Sequence, residues 1–245
     1  MKDIFGRHDE DLDLFYSEVL NKMGSKSPLV EDAELLLGCA FDKNKSSLEF
    51  NLFDSSTKLP YERRLLEQDL IRVTHIAGEF WKVNEATGNY SVTPFTYPEQ
   101  AVFIGKKGTD TEIQAMEAVY SGVLNLMRSR TELLKDYPVR SLLVAPERQQ
   151  NDGKYYHTVN DDRYKRLTIQ PCFGGKGTMK FTLDLSQTTA NMMELLVGNL
   201  DAAGATVAGV KNHFIIRLRG FRAVGQGEPF QVFRKQYTES LGIRE

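Results

Sequence analysis

Cysteine is scarce in this chain: two residues in 245, Cys39 and Cys172. So small a number, so widely spaced, supports neither a disulfide framework nor a zinc site, which need more ligands at tighter intervals. A reducing compartment is the default expectation. No apolar run approaches the roughly 20 residues needed to span a bilayer. The opening MKDIFGRHDEDLDLF lacks the apolar core of a signal peptide. Charge of one sign is also lacking. With 31 basic and 33 acidic residues the formal net charge is −2, so no global basic field points to nucleic acid. There is no repeat at solenoid periods and no low-complexity segment.

Catalytic signatures are missing too. There is no G-x-S-x-G elbow, and no Cys–His pairing suggests a nucleophile. His8, His75, His157 and His213 stand alone, none with a second ligand at metal spacing. Glu147 and the Asp161–Asp162 pair read as solvated loop charges rather than an acid–base couple. FGGKGT at 173–178 looks like a phosphate loop, but its lysine precedes glycine and a strand follows. A hairpin turn is the better reading. The expectation is a chain with no metal, no cofactor and no enzymatic activity.

What the sequence does hold is alternation. Lys211–Val224 (KNHFIIRLRGFRAV) carries the strongest strand signal: Phe214, Ile216 and Leu218 on one face, Ile215, Arg217 and Arg219 on the other. Gly220 predicts a bulge that resets the faces for Phe221 and Ala223. Ser47–Phe53 alternates through Leu48, Phe50 and Leu52. Asp69–Val83 is rich in β-branched and aromatic residues and reads as one long strand or a pair bent at Gly78. Gly122–Met127 and Val139–Ala145 read as strands, with Thr131–Tyr137 left open between them. Asn84–Tyr97 reads as mostly extended loop. Arg166–Phe173 and Thr178–Ser186 read as a hairpin.

Helices are few. Asp11–Met23 has apolar residues at helical spacing, with Gly24 as a stop. It is either docked on its own core or an arm onto a neighbour. Thr109–Glu112 fits a capping box opening a short helix. Asn191–Leu200 is a short helical or apolar connection, and Glu31–Phe41 is ambiguous between helix and strand. Eight to ten strands with almost no βαβ alternation predict a mainly β fold, an antiparallel β-sandwich of jelly-roll type, single or double. The expected organisation is an N-terminal helical arm over 1–46, the β domain over 47–227 and a tail over 228–245.

Two clusters of arginine remain. Arg217 and Arg219 share a strand face, with Arg222 expected nearby past the bulge, and Arg128 and Arg130 repeat the arrangement after Met127. Such faces meet nucleic-acid phosphates, meet the acidic side chains of a neighbour, or are simply solvated.

Several phrases together resemble one family. They are DLIRVTHIAGEFWKV, TPFTYPEQAVF, MEAVYSGVLNLMRSR, LVAPERQ and NHFIIRLRGFRAVG, spanning about Asp69 to Gly225. In pattern and order they resemble the jelly-roll coat proteins of small, tailless icosahedral bacteriophages. The resemblance implies a virion structural protein made in the host cytoplasm. It implies many copies in a shell, contacts with other virion proteins, and a face toward packaged nucleic acid or an internal membrane. It carries no catalytic residues. A phage tail, neck or vertex protein, and a β-sandwich binding module or enzyme, are the rival expectations.

Overall fold

A computed structural model describes residues 11–17, 29–53, 59–66, 69–94, 110–128, 131–142, 164–174, 179–185, 188–198 and 209–224. The chain is mainly β, with two antiparallel sheets packed over one core. Its strands are β1 (Leu29–Ala40), β2 (Ser47–Asn51), β3 (Leu70–Asn84), β4 (Tyr90–Pro94), β5 (Val123–Arg128), β6 (Thr131–Pro138), β7 (Lys165–Arg166), β8 (Cys172–Gly174), β9 (Met179–Asp184) and β10 (Val210–Val224). The large sheet has the order β1-β10-β3-β4, with β7 and β8 also on β3. The small sheet has the order β2-β9-β5-β6. Three described helices accompany them: α1 (residues 11–17), α2 (Asp110–Tyr120) and α3 (Ala190–Val197).

β10 is the middle of the large sheet, paired with β1 from His213 to Val224 and with β3 from Val210 to Ala223. Phe214, Ile216 and Leu218 point inward, where they meet Leu35 and Leu37 of β1 and Ile76 and Phe80 of β3. Leu48 and Phe50 of β2, Leu124 and Leu126 of β5, and Phe181 and Leu183 of β9 close the core from the small sheet. Period-2 alternation on both sheets supplies this layer, and burial of apolar area is the main term holding it.

The bulge falls where Gly220 predicted, but the extra residue is on the partner. Arg219 faces His75 and Gly220 faces Val73, which leaves Thr74 unmatched in β3. Hence β3, not β10, changes face: Val73 and Ile76 both reach the core. Phe221 and Ala223 stay on the outer face with Ile215, Arg217 and Arg219, contrary to the expected reset. Gly220 is needed for closeness, since a Cβ there would lie 1.8 Å from the Arg72 carbonyl oxygen. β3 runs unbroken through Gly78, so no bend occurs at that glycine.

Four further expectations are corrected. Arg166–Phe173 and Thr178–Ser186 are not a hairpin: β7 and β8 join β3 in the large sheet, while β9 joins β2 and β5 in the small one. Alternation marks a strand but not its partner. Val139–Leu142 is a 3₁₀ turn with Val139 and Leu142 both buried, because residues three apart eclipse on such a turn. Tyr90–Pro94 pairs with β3 rather than forming loop, while Thr131–Pro138, left open by the sequence, is a strand. Leu29–Ala40 is a strand of the large sheet, so within 1–46 the described helix is confined to 11–17.

α1 docks on the outer face of the large sheet of its own chain. Phe15 is fully buried and stacks on Phe221, with Leu70 and Ala223 beside it, and Asp11 pairs with Arg166 at 2.9 Å. α3 is capped as its sequence requires. The Thr189 hydroxyl accepts from the Met192 amide, and Gly198 closes the helix at φ 67°. The tail over 228–245 and the loop over 146–161 lie outside the described residues.

Candidate functional site: the outer face of the large sheet

The face of the large sheet turned away from the small sheet is divided into three zones along β10. At one end Ile215 joins Leu36, Tyr61, Trp81 and Val83 in an apolar cluster. At the other end Phe221 and Ala223 lie under α1. Between them stands a charged network. Neighbouring strands put Arg217 and Arg219 of β10 beside Glu34 of β1 and Glu79 of β3, since outward residues on paired strands fall side by side.

Arg217 is held from two sides. Its Nε donates to Glu34 Oε1 at 2.6 Å and a terminal nitrogen donates to Glu79 Oε1 at 3.0 Å. Glu79 is 2% exposed and also accepts from the Trp81 indole at 2.9 Å. Tyr164 donates its hydroxyl to Glu34 at 2.7 Å, and the Arg219 guanidinium lies 3.8 Å over the Tyr164 ring. Burial opposes ionisation of Glu34, but the Tyr164 and Arg217 hydrogen bonds outweigh it and hold the carboxyl below its ordinary range. Burial likewise opposes the charge on Arg217, and Glu79, Tyr164 and Glu34 together hold it more firmly protonated. The Tyr164 phenol is pushed up by burial and by its bond to Glu34.

The arginines singled out in the sequence therefore separate. Arg217 and Arg219 do share a face, but carboxylates and an aromatic ring of the same chain already engage them. Arg222 is not beside them. It follows the inward register and sits at the end of the sheet, donating from Nε to Glu31 at 2.9 Å and to the fully buried Asp69 at 3.3 Å. Arg128 ends β5 in the other sheet, and Arg130 lies outside the described residues. Of the histidines, His75 lies on the outer face opposite Arg219, and His213 is buried beneath Tyr61. His8 and His157 lie outside the described residues, as do Glu147 and Asp161–Asp162.

Sequence reasoning missed Glu34, Glu79, Tyr61 and Tyr164. One signal was available for Glu79: a carboxylate between Gly78 and Phe80 in an otherwise apolar strand needs a buried partner. Chemically, this face forms a closed set of charge-assisted hydrogen bonds that fixes side-chain positions on a rigid sheet. In comparisons with known proteins, no protein-family model and no curated sequence matches this chain.

Proposed function

We propose that this chain is a virion structural protein, a coat subunit that assembles in many copies into an icosahedral shell. The observation that carries the proposal is the nesting of the strand pairs. β1 pairs with β10, β2 with β9, β3 with β7 and β8, and β5 with β6. First-with-last pairing repeated inward is what rolling a long antiparallel ribbon into two sheets produces. The resulting orders, β1-β10-β3 and β2-β9-β5-β6, support reading the sandwich as a single eight-stranded jelly roll, with β7 and β8 together as its sixth strand and β4 added at the edge.

Fold alone does not give function. Two further observations support a contact-making role. The space between the sheets is filled by Phe50, Phe80, Phe181 and Phe214, which leaves the protein's work to its surfaces. Of the sequence phrases that resemble tailless-phage coat proteins, DLIRVTHIAGEFWKV falls on β3, MEAVYSGVLNLMRSR on α2 and β5, and NHFIIRLRGFRAVG on β10, while TPFTYPEQAVF past Pro94 and all of LVAPERQ lie outside the described residues. Subunit contacts of this kind bury on the order of 1,200–2,000 Å² each.

The test is the size of the purified protein. Electron microscopy with light scattering should show closed shells whose mass is many times the 27.8 kDa of the chain. Rings of defined copy number would move the assignment to a tail, neck or vertex part. A compact monomer at all concentrations would end the proposal.

A further inference from the structure

Residues 59–65 lie across the outer edge of β1 as a strap. Leu36 and Arg63 exchange both backbone hydrogen bonds at 2.9 Å, and the Leu65 amide donates to Leu52 at 2.8 Å, beyond β2. The buried Glu62 carboxylate accepts from the Gly38 amide at 3.0 Å, the Leu59 amide at 2.7 Å and Arg64 at 2.7 Å. Tyr61 lies flat over Gly38, where a Cβ would come within 2.3 Å of the hydroxyl. The tip of Tyr61 reaches through the apolar cluster to His213 Nδ1 at 2.8 Å.

We propose that the 59–65 segment is an acid-released strap, latched by the neutral imidazole of His213, and that proton uptake there uncovers the edge of β1.

The geometry sets the tautomer. Glu85 Oε1 lies 3.6 Å from His213 Nε2. A bare lone pair facing that carboxylate is unfavourable, so Nε2 carries the hydrogen and Nδ1 accepts from the Tyr61 hydroxyl. A second proton converts Nδ1 to a donor toward the Tyr61 oxygen, so the Tyr61 O–H must turn away from the ring while remaining enclosed. His213 is 0% exposed, and the Tyr61 and Trp81 rings lie beside it. Glu85 is the nearest counter-charge and is shared with Lys211 at 2.8 Å. From the strap Glu62 and Arg64, paired at 2.7 Å, and from β1 Cys39 act on the Tyr61 hydroxyl that His213 holds. Burial, with Lys211 adding to it and Glu85 opposing, lowers His213 to about 4.

The sign follows. With the strap closed, burial holds the imidazole near 4, and opening lets water reach the ring and moves it back toward the ordinary 6.5. The strap is therefore fully latched above pH 6.5. Opening becomes easier by about tenfold per pH unit as pH falls toward 4, on the order of a hundredfold or more in all, and levels off below. Opening frees the Leu36 backbone groups and the Gly38 amide, the unpaired-edge condition that invites another strand.

Amide hydrogen exchange of peptides covering 34–40 and 59–66, corrected for the intrinsic pH effect, tests this. In the wild type, protection should fall about a hundredfold between pH 7 and pH 4, while the β3–β10 amides hold. In His213→Asn the side-chain oxygen stands near the Nδ1 position but cannot titrate, so protection should stay flat. Exchange of the His213 imidazole C2 proton, read by mass spectrometry on the wild type, should give a midpoint well below 6.5. An equal fall in variant and wild type would assign the effect to Glu62 or Glu85 and overturn the latch. A His213 midpoint near 6.5 would overturn it whether or not the variant folds.

Discussion

Gly220→Ala should destabilise the chain by at least about 3 kcal/mol, the scale of severe overpacking at a fixed backbone. The added Cβ would sit 1.8 Å from the Arg72 carbonyl oxygen and 3.0 Å from Val73 Cα. Neither atom is the free end of a flexible side chain. Relief requires parting β10 from β3 at the bulge, the pairing on which the large sheet is built. Gly78→Ala is the internal control. Its Cβ would meet Leu142 and Phe214 side-chain atoms at 3.2 Å, and side chains can shift by a few tenths of an ångström. That variant should lose about 1 kcal/mol. Urea unfolding followed by tryptophan fluorescence reads both, since Trp81 lies in β3. If Gly220→Ala unfolds within 1 kcal/mol of wild type, the close approach described at the bulge is wrong.

Arg217→Ala should cost about 3–5 kcal/mol, the range for removing one partner of a buried ion pair. The loss arises less from the missing attraction than from what stays behind: Glu79 remains buried with the Trp81 indole as its other described donor. Arg219→Ala, one turn of the pleat away, should cost less than about 1 kcal/mol, because its side chain is 38% exposed and its described contacts are a ring face and a long 3.9 Å pairing with Glu34. The double variant Arg217→Met/Glu79→Gln should recover much of the single loss, since the buried carboxylate that faced Arg217 is then neutral. Equal costs for Arg217→Ala and Arg219→Ala would mean that the network is solvated rather than enclosed.

Strands that bury one face were readable in the sequence. β2, β5 and β9 each alternate, and their buried residues are those that the alternation selected, whereas β10 also buries His213, Ile215, Phe221 and Ala223 on its outer face. β1 was ambiguous because Leu35, Leu36 and Leu37 are consecutive and all buried. Leu35 and Leu37 face the core, while Leu36 is covered from outside by the strap and its tyrosine. β6 was hidden because two register shifts and Asp136, at φ 49°, break its period. Partnership was not readable at all. Glu34, Glu79, Tyr164 and Arg217 meet from four distant stretches of chain, and the local pattern around each carries no mark of the others. The arginine pair was visible, but the acids that occupy it were not.

The position of β10 has a consequence for how the chain comes into being. This strand is near the last of the described order, yet it lies between β1 and β3. During synthesis β1 cannot be joined to β3 until β10 has left the ribosome. Leu35, Leu37, Ile76 and Phe80 then stay uncovered while nearly everything else is already made. Such late closure makes folding slow and exposes sticky intermediates. A ribosome stalled before residue 210 should hold a protease-sensitive chain that recruits chaperones, and release of the next fifteen residues should convert it to a resistant one.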